Sequence, residues 1–182
     1  QFETATAGLA NCEWRFVNRG GEAEVVRQFV DLARHTDLAV LGQYEHGKDV
    51  VPEELVSEVV IGCGRPVLVV PYIGDFADVG KCPLIAWNNA PEAARALNDA
   101  LAVIQGCQKA YVVSVATRLD EGEATCAEVQ RHLATHGVSA ATEVVLVEDF
   151  GVMDMLLNRA SDRSADLLVM GAHGSIGFPF ES

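Results

Sequence analysis

Long apolar runs are missing from this chain. Stretches such as PVLVV at 66–70 and DLLVM at 166–170 are about five residues long, against the roughly 18 to 20 that a bilayer-crossing helix needs, so no membrane span is expected. Basic residues are scarce. Thirteen Lys and Arg face 26 Asp and Glu, a formal net charge of −13, which repels a phosphate backbone and removes nucleic acid from the expected partners. The five cysteines, Cys12, Cys63, Cys82, Cys107 and Cys126, form no C-x-x-C pair and have no His at metal-ligand spacing, so they read as free thiols. The opening QFETATAGLA has neither a basic start nor a long apolar core, so no secretory signal is expected and the cytoplasm is the default location. The first residue is Gln1, which leaves room for residues upstream. What is plentiful is core: 49% of 182 residues are hydrophobic, enough for one large domain or parts of two.

The chain repeats itself. EWRFVNRGGEAEVVRQFVDLARHTDLAVLG at 13–42 and EVVLVEDFGVMDMLLNRASDRSADLLVMG at 143–171 share one layout. Each has a short strand-like run, an amphipathic helix and a closing Asp-Leu-x-Val-x-Gly, with Asp37 answering Asp166 and Gly42 answering Gly171. Val25, Val26, Phe29, Leu32 and Ala33 recur at three- and four-residue steps, as do Val152, Met153, Leu156, Leu157 and Ala160, so each set is one apolar helical stripe. DLAVLG and DLLVMG read as strands buried on both faces of a parallel sheet.

Between the copies the alternation continues. PEELVSEVVIG at 52–62 reads as a helix opening near Pro52, RPVLVVPY as a strand and IGDFADVGK at 73–81 as a linker. Beyond it, CPLIAWNN is a strand, the helix after it carries an Asn89–Glu92 capping pattern, AYVVSVATR is a strand, CAEVQRHLATHG is a helix stopped by Gly137, and ATEVVLVED is a strand. RLDEGEAT at 118–125 reads as a solvated loop. The expectation is an α/β fold with parallel strands. The two copies are cut in complementary places, so the chain reads as the closing part of one unit, 1–72, a linker, 73–81, and most of a second unit, 82–182.

These residues resemble the universal stress proteins, and more closely their tandem members. LIAWNNAPEAARALNDAL looks like a first strand and helix, GRPVLVVP like a last strand, and ADLLVMGAHG is the most specific string. The resemblance implies parallel five-stranded sheets with flanking helices, adenine-nucleotide α-hydrolase-like and Rossmann-like, in two domains paired as a pseudo-dimer, with self-association of the chain. It also implies ATP or another adenine nucleotide in the second domain, with magnesium only as the companion of ATP. In the nucleotide-binding branch a Gly-x-x-Gly, nine residues, then Gly-Ser/Thr surrounds the phosphates. Gly171 and Gly174 match the first pair, with Ala172 and His173 between them; the second pair is not met before Ser182. In the first copy Gly42 is followed by Glu45, and Leu55 and Val56 fall at the second pair, so that half is not expected to hold phosphates. The same resemblance puts Ala86, Trp87, Asn88, Val115 and Met170 at the adenosine, with Asn88 where nucleotide-binding members carry an acid.

Physics alone leaves two readings of the glycines. They are a tight turn at a strand end, or a nest of backbone N–H groups for an anion beside a helix N-terminus. His173 lacks a Ser-x-Gly elbow or a carboxylate partner in sequence and reads as a loop residue. Trp14 and Trp87 read as core or interface anchors on strands. Asp37 and Asp166 read as turn holders at the strand entrances. No Walker lysine or general base accompanies Gly171, so the expectation is a non-catalytic nucleotide-binding protein with at most slow ATP hydrolysis. The alternatives are a nucleotide-free interaction scaffold and an ATP-using enzyme.

Overall fold

The computed structural model describes residues 4, 6–17, 20–47, 51–146 and 151–172. The chain divides into two compact units, 1–69 and 70–182.

In the first unit, α1 (Glu22–Ala33) turns Val26, Val30 and Ala33 inward. β1 (Ala39–Gly42), α2 (Leu55–Gly62) and β2 (Val67–Val70) follow, and the two strands form a sheet. Leu41, Leu55, Val56 and Val59 close the core against α1. At Gly62 a Cβ would lie 3.0 Å from Val30 Cγ1, so α2 ends close against α1. Two expectations fail here. β1 is not buried on both faces: Ala39 and Leu41 are covered while Val40 is 58% exposed, because the described elements of this unit pack on one side of a two-stranded sheet. Residues 13–17 form no strand, and Trp14 is exposed, touching only the edge of the Phe16 ring at 6.5 Å among the aromatic contacts.

The second unit alternates β3 (Pro83–Trp87), α3 (Pro91–Ile104), β4 (Ala110–Ala116), α4 (Leu119–Thr135), β5 (Ala140–Leu146), α5 (Val152–Asp162) and β6 (Leu167–Val169). Its sheet has the order β5-β4-β3-β6, every pair parallel. Four strands are present among the described residues where five were expected. β3 is central and buried along its whole length, as a strand covered on both faces must be. Alternation splits its side chains: Ile85 and Trp87 join Ala93, Leu97 and Leu133 in one cluster, while Leu84 and Ala86 join Val113 and Leu156 in another. The Asp166 carboxylate accepts the Lys81 and Cys82 N–H groups at 2.8 and 2.9 Å, holding the start of β3 beside β6.

Two local expectations are corrected. The Asn89–Glu92 capping pair does not form; the N-cap is Ala90, without a side-chain bond, and Pro91 is the first helical residue. Proline's missing N–H and fixed φ suit that position, so the chain turns one residue late. Asn89 takes φ +58 and Asn88 Oδ1 accepts the Ala90 N–H at 3.2 Å. The stretch 118–125 is no loop: α4 begins at Leu119. Asp120 and Glu121 in its first turn suit the positive end of the helix dipole, and Arg118 pairs with both. Gly137, at φ +76, stops α4. Its N–H bonds Ala134 O and the Val138 N–H bonds Leu133 O, each at 3.0 Å, the paired bonds of a Schellman turn.

Candidate functional site

The strand order reverses beside β3. The chain passes from β3 to β4 and β5 on one side and then returns to lay β6 on the other. Outside the carboxyl ends of such strands no crossover helix bridges the gap, and open α/β sheets present a crevice there. The register sets what lines it. Ile85 pairs with Val169, so one and two steps further Ala86 lies beside Met170 and Trp87 beside Gly171. On the other side Trp87 pairs with Ser114, which sets Val115 next to Asn88.

The expected residues therefore converge on one edge, but not on one face. Ala86 and Met170 share the apolar cluster under α5. Trp87 lies on the opposite face, packed with Ala93 and Leu97 of α3. Val115 is half-buried on β4, in register with Val145. Asn88 is half-buried at the end of β3; its Oδ1 is engaged by the Ala90 N–H, which leaves Nδ2 as the donor. Gly171 and Ala172 are described and half-buried, whereas His173 and Gly174 lie outside the described residues.

Three features of this edge were not among the expectations. Gly171 touches α3: a Cβ there would sit 2.7 Å from Ala93 N, Glu92 C and Glu92 Cβ, so no other residue fits without the helix moving. The first turn of α3 walls the crevice and has no side-chain cap, so its N–H groups carry the positive end of the dipole. Glu92 partly offsets that field and is itself paired with Arg95 at 3.5 Å. Finally, the Trp87 indole Nε1 is buried with no hydrogen-bond partner among the described residues, and a buried donor left unmet costs on the order of 1 to 3 kcal/mol. The Ala90-Pro91 step was the legible signal for the uncapped turn; nothing in the sequence signals the orphaned indole.

The Trp87 indole and the first turn of α3, against which Gly171 packs, lie on one face of this edge and Ala86 and Met170 on the other, with Asn88 at the strand end between them. Beneath them Ser114 is buried within β4 and takes no part in the surface of the crevice.

No family model and no curated protein matches the chain. Solved structures do. A universal stress protein from Archaeoglobus fulgidus DSM 4304 superposes with a TM-score of 0.63 at 14% identity, over 79% of this chain and 52% of that one. A protein of the universal stress protein family from Burkholderia pseudomallei gives 0.46 at 24% identity, over 52% of this chain and 83% of its own. A Mycobacterium tuberculosis H37Rv protein gives 0.45 at 18%, over 53% and 74%. The Archaeoglobus likeness establishes the fold: parallel sheets flanked by helices, as in a universal stress protein. The chain spans about half the length of that relative.

Proposed function

We propose that this chain is a universal stress protein of the tandem kind, with 1–72 closing a first domain, 73–81 as linker and 82–182 as the second domain, and that the second domain binds an adenine nucleotide without dedicated catalysis. The observation that carries the reading is the reversal of strand order beside β3, where the orphaned Trp87 Nε1, Asn88 and the uncapped α3 turn meet Gly171. Ala86, Val115 and Met170 would flank the adenine and Asn88 Nδ2 the ribose. The backbone from Gly171 through Ala172 and His173 to Gly174 would meet the phosphates, with magnesium entering only alongside ATP. Hydrolysis is at most slow, since no Walker lysine or general base accompanies the glycines. The two domains would pair as a pseudo-dimer, and the protein would work in the cytoplasm as a self-associating responder to stress.

Isothermal titration of the full-length protein with ATP and AMP tests this. The expected outcome is micromolar ATP binding that Gly174→Asp abolishes; an absence of heat at millimolar ligand overturns it. That second result would favour an interaction scaffold without nucleotide, a reading supported by the contact of Gly171 with Glu92 and Ala93 and by Glu45, Leu55 and Val56 at the first copy's phosphate positions. Sustained turnover well above about 1 per second would instead mark an ATP-using enzyme.

A further inference from the structure

At the far end of α4 from the crevice the sequence reads HLATHG, and His132 and His136 stand four residues apart. That spacing stacks two side chains on one helix face. Their ring centroids are 4.8 Å apart with planes at 65°. The Schellman turn at Gly137 fixes His136 as the C-cap of α4, so its backbone does not drift.

A neighbouring helix sets the tautomer of His132. Asn98 of α3 donates its Nδ2 to Ala94 O at 2.7 Å, which decides the orientation of the amide and turns Oδ1 towards His132 Nε2, 3.2 Å away. An amide oxygen only accepts, so His132 Nε2 carries the proton. In the neutral ring Nδ1 is then left with a free lone pair. This is the arrangement by which an outer partner orients a metal-binding imidazole.

The spacing suits a metal ion. The rings are now in edge-to-face contact, centroids 4.8 Å apart, and two imidazoles four residues apart on one helix face can turn about their side-chain torsions to take cis positions on one tetragonal copper(II) or nickel(II) ion. Charge favours it as well: the carboxyl end of a helix attracts cations, and the chain carries −13 overall. The nearest cation on α4, Arg131, is paired with Glu128.

We infer that His132 and His136 form a two-imidazole binding site for a tetragonal late first-row divalent ion, oriented by Asn98. No third His, Cys, Asp or Glu joins them among the described residues, so the remaining positions are open to water or to an external chelator. The site stands apart from the nucleotide crevice and does not depend on it.

The probe is copper(II) chelated by iminodiacetate, which keeps the ion from the free thiols and leaves positions for imidazole nitrogen. Paramagnetic resonance during titration of the full-length protein should show one equivalent bound with a two-nitrogen imidazole signature. His136→Ala and His132→Ala should each weaken binding by at least about tenfold and reduce the signature to one imidazole, and Asn98→Ala should weaken it by about tenfold with both imidazoles retained. His35, His46 and His173 remain in every variant and supply the background. A one-imidazole spectrum in the unaltered protein, or equal affinity in it and His136→Ala, overturns the assignment. An unchanged affinity in Asn98→Ala overturns the role given to Asn98.

Discussion

Burial decides what each side chain can do at its own position, and the thiols show it. Cys126 lies beneath β4 and β5, its Sγ 3.9 Å from Glu143 O, and burial pushes its ionisation upward while hydrogen bonds from Ser114 pull it back. A raised folded pKa favours the neutral thiol. The stabilisation is therefore complete below the ionisation of the unfolded thiol, near pH 8.5, and is lost as pH climbs through the folded value. Urea unfolding midpoints should fall between about pH 8 and 10, and Cys126→Ala should flatten part of that fall; an identical slope in the variant refutes the link. Cys107, raised by burial and then by Cys82 and Asp166, adds to the same window and remains in the variant. At this scale the sequence is a partial guide. It put Asp166 at a turn, where it lies, and read Trp14 and Trp87 alike as core or interface anchors, whereas Trp87 is buried and Trp14 is exposed. Trp87 is buried because β3 is central, and Trp14 is exposed because no described strand pairs with its segment; the difference lies in neighbours distant in sequence.

Elements are set by how closely they approach one another. Gly122, in the first turn of α4, lies where a Cβ would meet Val144 Cγ1 at 2.5 Å and Ala116 Cβ at 3.2 Å. The helix rests directly on β4 and β5 there. An alanine gains about 1 kcal/mol in helix propensity, but its own Cβ already requires Val144 or the helix to shift, and a longer side chain must push the helix off the sheet, a cost of about 1 to 3 kcal/mol. Gly122→Leu is therefore expected to lower stability in urea by about that amount, and Gly122→Ala by less, since its propensity gain offsets part of the same clash; a Leu variant as stable as the unaltered protein refutes the contact. This glycine also explains why 118–125 looked like a loop. A run of Asp, Glu and Gly has the composition of a turn, and it is helical because packing on Val144 and pairing of Arg118 with Asp120 and Glu121 outweigh local preference. Of the stripe Val25, Val26, Phe29, Leu32 and Ala33, Val26 and Ala33 are buried where helical spacing put them, while Val30, outside that stripe, is buried beside them. The crevice was legible in part: Ala86, Asn88 and Met170 sit at strand ends that any strand–helix alternation exposes. The contact of Gly171 with Glu92 and Ala93 depends on how β6 returns beside β3, and no local pattern encodes that.

On the scale of the whole molecule, net charge sets how an anionic ligand arrives. A chain at −13 repels ATP over distances comparable with the Debye length, about 10 Å at 0.1 M salt. The groups offered at the crevice, the indole N–H, the Asn88 amide and the backbone of the α3 turn, act at contact and are screened much less. Added salt should therefore weaken the opposition more than the attraction. ATP affinity is expected to rise as monovalent salt goes from about 20 to 200 mM, while adenosine, which carries no charge, changes little. A basic surface built for polyanions does the reverse, losing affinity steeply as counterions compete. Titrations of both ligands across that range separate the cases. A fall in ATP affinity would mean that a local positive field outweighs the global negative one, and since the described crevice offers only neutral donors and a helix end offset by Glu92, that field would have to come from residues elsewhere in the chain.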